Sequence, residues 1–297
     1  MDRLLVGSEY ASQLTDADLR LLASVDARSA GSGAGQAADG SWLRGNPAAL
    51  LRLLEDPGVF RAVAGQGEAA PGWAGPASPF LVFAVFVHRA AAELASVDYM
   101  AERMGPRQRV PVYDVPALRD FLDAPARRLF LAELLASFTR VASGRYRSRA
   151  GGRMRIRRFS ELDPVRLAGM LEAAPEESRP GLYRRLGDVS LFLAGVFPDY
   201  AAAHALGPLD AARLLRSARV PPAERDGLAA APALELLEYL GARWYRAALA
   251  AAPVRTANLA VVGEVAARFR QARRILNHVA DRYLLGPDSP WFGRPAS

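Results

Sequence analysis

Neither cysteine nor lysine occurs anywhere in this chain, and histidine occurs only three times, at His88, His204 and His278. Without cysteine there is no disulfide framework, no thiolate zinc site and no cysteine nucleophile. Without lysine there is no phosphate loop of the GxxxxGK[ST] type and no Schiff-base chemistry. No histidine belongs to a His-Glu-x-x-His or Glu-x-x-His pattern, so the usual helical metal sites lack their ligands. A Gly-x-Ser-x-Gly elbow is missing too, as is the alternating β/α pattern of a dinucleotide fold. The most apolar run, Phe80 to Val87, has eight residues, far short of the roughly 20 that a membrane-spanning helix needs. The first ten residues carry no long apolar stretch and soon turn acidic, unlike a secretory signal. These absences lead to the expectation of a soluble cytoplasmic protein with no membrane partner, no cofactor, no metal and no catalytic residue of a familiar kind.

What is present is arginine. All 38 basic residues are arginines, against 31 acids, for a net charge of +7. Isoleucine (Ile156, Ile275) and asparagine are scarce while alanine, glycine and proline abound. That bias suits a genome rich in G and C, in which arginine fills basic surface sites by default, so its abundance alone says little about anion binding. Its distribution says more. Eight arginines and no acid lie between Arg140 and Arg158, which leaves 30 basic against 31 acidic residues in the rest of the chain. The positive charge is one local object on a nearly neutral protein.

The order of residues in that stretch predicts a two-stranded ribbon over about 144–159. Gly144-Arg-Tyr-Arg-Ser-Arg-Ala150 alternates, Gly151-Gly152 follows, and Arg153-Met-Arg-Ile-Arg-Arg-Phe159 alternates again. A Gly-Gly pair between alternating runs signals a hairpin, because glycine supplies the positive φ of a tight turn. With period two, Arg145, Arg147 and Arg149 share one face of the first strand, and Arg153, Arg155 and Arg157 share one face of the second. The expectation is that all six guanidiniums point the same way, as the site for an anionic partner. Like charges set that close repel one another, unless solvent or an anion relieves them.

Elsewhere helix signals dominate, and they predict a mainly α protein: an irregular multi-helix bundle with one protruding basic hairpin. Thr15 followed by acids opens a first helix. Asn46-Pro47, Ser78-Pro79, Asp114-Val-Pro116, Ala124-Pro125, Asp163-Pro164 and Pro180 each mark another start. The helix from Phe80, apolar all round at first, is expected to run to about Met104 and to be central. Arg109 to Asp114 reads as a short extended piece, 28–45 and 65–79 as loops, and about 209–218 and 222–228 as short helices. Ala233 to Ala251 and Val254 to Leu285 read as two long helices. In the second, Val262, Val265, Phe269, Ala272, Leu276, Val279 and Tyr283 recur at spacings of three and four, a heptad seam that packs internally or joins two copies. The length suits a single domain, or two helical subdomains at about 1–142 and 160–297 joined by the hairpin.

A few polar residues lie in apolar surroundings. Asp188 is costly to bury alone, and Arg184, one turn earlier, is its expected ion partner. His88 at the end of the apolar run reads as a buried, hydrogen-bonded histidine, and His278 as a flank to the seam. Two segments, 183–200 and 273–283, resemble a family of mainly helical actinobacterial proteins with no assigned activity. The resemblance implies a bacterial, cytoplasmic origin and brings no catalytic residue with it. The functional expectation is a non-enzymatic binding protein whose hairpin, through Arg145, Arg147, Arg149, Arg153, Arg155 and Arg157, meets nucleic acid backbone or an acidic protein. A protein-interaction or scaffold role through the Val262–Tyr283 seam is the alternative, with the chain a monomer or a homodimer joined through that seam. An enzyme with an unfamiliar carboxylate or histidine site comes third.

Overall fold

A computed structural model describes residues 2–29, 40–68, 77–105, 108–140, 143–150, 153–171, 173–203 and 206–285. The fold is mainly helical, as the cap and proline signals require, and it divides into two compact units. One comprises residues 1–101, 111–139 and 278–297, the other 102–110 and 140–277.

The first unit holds α1 (Arg3–Gln13), α2 (Asp16–Ser29), α3 (Pro47–Leu54), α4 (Pro57–Glu68), α5 (Pro79–Leu94), α6 (Val115–Asp123) and α7 (Pro125–Ser137). Strand β1 (Met100–Gly105) pairs with β2 (Gln108–Val112), and residues 102–110 of this hairpin belong to the second unit. Helix α5 is the centre of this unit: its residues from Phe80 to His88 are all buried, with α7, α4 and α6 packed against it. One buried carboxylate ties two helix starts together. Asp18 Oδ2 accepts from the Thr15 backbone N–H at 2.8 Å while the Thr15 hydroxyl accepts from the Asp18 N–H at 3.2 Å, a reciprocal cap. The other oxygen, Oδ1, accepts from the Ser78 N–H at 2.6 Å, and the Ser78 hydroxyl in turn caps α5 through the Leu81 N–H.

The second unit begins with β3 (Ser143–Ala150) and β4 (Arg153–Ser160). It continues through α8 (Pro164–Leu171), α9 (Arg179–Val196), α10 (Pro198–Ala203), α11 (Pro208–Ser217), α12 (Pro222–Ala229), α13 (Ala233–Ala251), α14 (Ala257–Ala267) and α15 (Phe269–Val279). Helices α9 and α13 form its most extensive pair. They approach closely because Gly187 of α9 faces the Tyr245 ring of α13, where a β-carbon would overlap the ring atoms, and Gly241 of α13 stands against Ser190 of α9 while making room for the Phe269 ring of α15.

Helix C-termini leave carbonyls without intrahelical partners, and here arginine side chains close many of them. Arg44 donates to Ala11 and Leu14 at the end of α1. Arg119 donates to Leu94 and Val97 beyond α5, and Arg127 to Asp120 and Phe121 at the end of α6. Arg103 reaches Val196 of α9 at 2.8 Å, and Arg243 reaches Ala218 and Arg219 after α11. Cations suit these ends because the carbonyls carry partial negative charge.

Three expectations are corrected. Helix α5 stops at Leu94 rather than near Met104, and Met100–Gly105 is a strand. Its residue types favour a helix locally, but long-range bonds override that preference. The Asn277 side-chain amide accepts from the Arg103 N–H at 2.8 Å and donates to the Arg103 carbonyl at 2.9 Å, filling both ladder positions of one strand residue. A second hairpin therefore exists besides the basic one. Finally, the long C-terminal helix breaks at Arg268 (φ −122°, ψ 37°) and ends in a π turn, Ala280–Leu284. The seam residues from Val262 to Val279 are buried by the chain itself. Helices α1, α4 and α10 were not expected from the sequence. Residues 30–39 and 69–76 of the two expected loops lie outside the described residues, but Ser41–Gly45 forms a 3-10 turn and α4 runs to Glu68.

Replacing Asn277 with alanine leaves the Arg103 N–H and carbonyl unmatched, so chemical denaturation is expected to show a loss of about 2–4 kcal/mol. Arg219 holds φ +53° after α11, a left-handed conformation that glycine adopts freely. Arg219→Gly is expected to gain about 1 kcal/mol, seen as a rise in Tm.

Candidate functional site

The six expected arginines fall on the basic ribbon, three on each strand. β3 and β4 are antiparallel, and Ala150 pairs with Arg153 across the two-residue link 151–152, which lies outside the described residues. From there the register runs Arg149 with Met154, Ser148 with Arg155, Arg147 with Ile156, Tyr146 with Arg157 and Arg145 with Arg158. Directly paired residues share one side of a ribbon. Positions 145, 147, 149 and 158 therefore lie on one side, and positions 153, 155 and 157 on the other with Tyr146. The expectation of a single six-arginine face is overturned, and the cause is parity. An even-numbered turn sets odd positions of one strand against even positions of the next, and the arginines are odd on both strands except for Arg158.

The ribbon is rooted in the second unit. Helix α8 packs against β4, and Asp163 caps α8 by accepting from the Val165 and Arg166 N–H groups at 3.0 Å each. Glu161, the first acid after the arginine run, is held by Arg185 of α9 at 2.9 Å.

Compared with models of protein families, with curated proteins and with solved structures, the chain matches none of them. Its own geometry therefore carries the functional reading.

The polar residues that stood out in the sequence turn out to be built into the interior. Tyr245 donates its hydroxyl to Asp188 Oδ1 at 2.8 Å, a partner 57 residues away that local spacing did not reveal. Burial pushes the Asp188 carboxyl above its usual range, and Arg184, the expected partner, pulls it back electrostatically. In the same unit Arg273 is 3% exposed and lies between two carboxylates, Glu102 and Glu238. Arg274 holds Glu102 at 3.0 Å and Arg270 holds Glu238 at 2.6 Å, so five charges alternate along α13, α15 and β1. Arg273 and Glu102 are buried while Arg270 is exposed, and removing one partner of the inner pair would leave a buried charge uncompensated.

In the first unit His88 is buried, as expected, with Tyr10, Arg128 and Glu55 around it. Arg128 Nη1 lies 3.2 Å from Nδ1, and a guanidinium only donates, so Nδ1 accepts. The proton of the neutral ring then sits on Nε2 and points to the Tyr10 hydroxyl at 3.2 Å. Burial lowers the His88 pKa to about 4, and the Arg128 charge adds to this while Glu55 opposes it. His278 lies beside Glu93, with Nε2 3.4 Å from Oε2, and burial lowers its pKa too. His204 lies outside the described residues.

An open cleft of about 580 Å³ is lined by α12, α13, α14 and α15, with Glu235, Glu238, Arg246 and Arg270 at its polar edge. Neither Asp188 nor His88 borders it. Among the described residues no three histidine or carboxylate groups are placed to hold a metal ion, and no helix is long and apolar enough to cross a membrane.

The pH dependence of stability follows from the buried histidine. An unfolded His88 takes up a proton below about 6.5, whereas the folded one resists until about pH 4. Its contribution is therefore complete above pH 6.5 and is lost as the pH falls through 4, about 3 kcal/mol in all. His278 acts with the same sign. Thermal melts from pH 7 to pH 4 should show this fall, and His88→Gln should flatten it. An unchanged slope in the variant would assign the acid lability to other groups.

Proposed function

We propose that this protein is a non-enzymatic nucleic-acid-binding protein that grips phosphate backbone with its arginine ribbon. The observation that carries the reading is the ribbon itself: seven arginine positions on two paired strands, with no acid from Arg140 to Ser160. Codon bias raises arginine everywhere but does not remove carboxylates from one stretch. Guanidinium presents several N–H donors in a planar fork that matches phosphate oxygens, and its charge persists at any physiological pH. The buried polar clusters support the non-enzymatic part of the reading. Asp188 and His88 are committed to tyrosine and arginine partners, and the open cleft touches neither.

Binding of this kind releases counterions, so affinity falls steeply with salt. For six neutralised phosphates on duplex DNA, log K against log salt should have a slope of roughly −5. Changing Arg145, Arg147, Arg153 and Arg155 together to serine should remove most of that slope and of the affinity, as read by fluorescence anisotropy. Binding that survives the four changes would take the ribbon out of the account.

A further inference from the structure

We infer that the partner is a B-form double helix whose major groove receives the ribbon between two phosphate walls. The inference rests on the nucleic-acid reading above and deepens it. It comes from the register rather than from the composition. Positions 145, 147, 149 and 158 occupy one side of the ribbon and positions 153, 155 and 157 the other. A flat anionic surface, or a single strand lying along the ribbon, neutralises one side and leaves the like charges of the other uncompensated. A groove bounded by phosphates on both flanks serves both sides at once.

The dimensions agree. The B-form major groove, about 12 Å wide, admits a two-stranded β-ribbon. Eight residues per strand at about 3.4 Å each give a ribbon of about 27 Å, ample for the groove depth of about 8.5 Å. The A-form major groove of double-stranded RNA is too deep and narrow to admit it. Tyr146 shares its side with positions 153, 155 and 157, and Met154 and Ile156 share theirs with 145, 147, 149 and 158, so each side carries a row of arginine positions.

The test is a competition by fluorescence anisotropy at fixed salt, with a short DNA duplex, either of its single strands, an RNA duplex of equal length and anionic phospholipid vesicles. The DNA duplex is expected to bind about tenfold or more tightly than any of the others. Two triple variants separate the sides: Arg145, Arg147 and Arg149 to serine, and Arg153, Arg155 and Arg157 to serine. Each is expected to remove about half of the salt slope, since each strips one wall contact. The matching lysine triples keep the charge and should keep the slope; loss of it would overturn the charge-based argument. If one serine triple abolishes binding and the other changes nothing, the ribbon lies flat and groove insertion fails. Equal binding to single strands or to RNA duplex also removes the groove, but leaves the nucleic-acid reading standing. Binding to vesicles alone, or to nothing, removes both.

Discussion

Closing the carbonyl ends of helices is the constraint on which this architecture depends. A chain with many short helices has many C-termini, and each leaves carbonyls that need donors. The common solution is a glycine in the left-handed region just past the helix, yet among the described residues only Gly40 and Arg219 hold positive φ. Arginine side chains from neighbouring elements take over. Arg44, Arg119, Arg127, Arg103 and Arg243 each reach a helix end, and most close two carbonyls at once. Each such bond stitches one element to the next as well as satisfying the backbone. The arginine that first looks like compositional bias thus does much of the structural joining.

That division of labour bears on function. Outside the ribbon, arginines recur as caps and as members of ion networks such as Arg273 between Glu102 and Glu238. Those roles need a carbonyl or a carboxylate within reach, and the sequence supplies acids at nearly equal number there. The stretch from Arg140 to Arg158 supplies none of its own. Its alternation with Tyr146, Ser148, Met154 and Ile156 follows the strand period rather than any capping geometry, which sets it apart from the other arginines by pattern as well as by charge.

Much of the fold was legible because its starts are chemically marked. Thr15 with Asp18, Ser78 with Pro79, Asp163 with Pro164 and the prolines at 47, 116, 125 and 180 each mark a helix start where local chemistry says one should open. Several of the failures share a cause, which is distance along the chain. Met100–Gly105 is a strand that pairs with β2 and takes Asn277 onto the backbone of Arg103, and no local pattern announces a partner 174 residues on. Tyr245 for Asp188, and Tyr10 and Arg128 for His88, were hidden in the same way. The break at Arg268 interrupts a heptad seam that reads as continuous. Ribbon parity differs in kind: two glycines between the strands already imply an even turn, so the two-sided placement was present in the sequence and was overlooked.

A two-stranded ribbon has two open edges, and open edges invite further strands from other molecules. With arginine positions on both of its sides, a second ribbon approaching by stacking sets like charges against one another. Charge of one sign on both sides therefore works against the association that open strand edges otherwise invite.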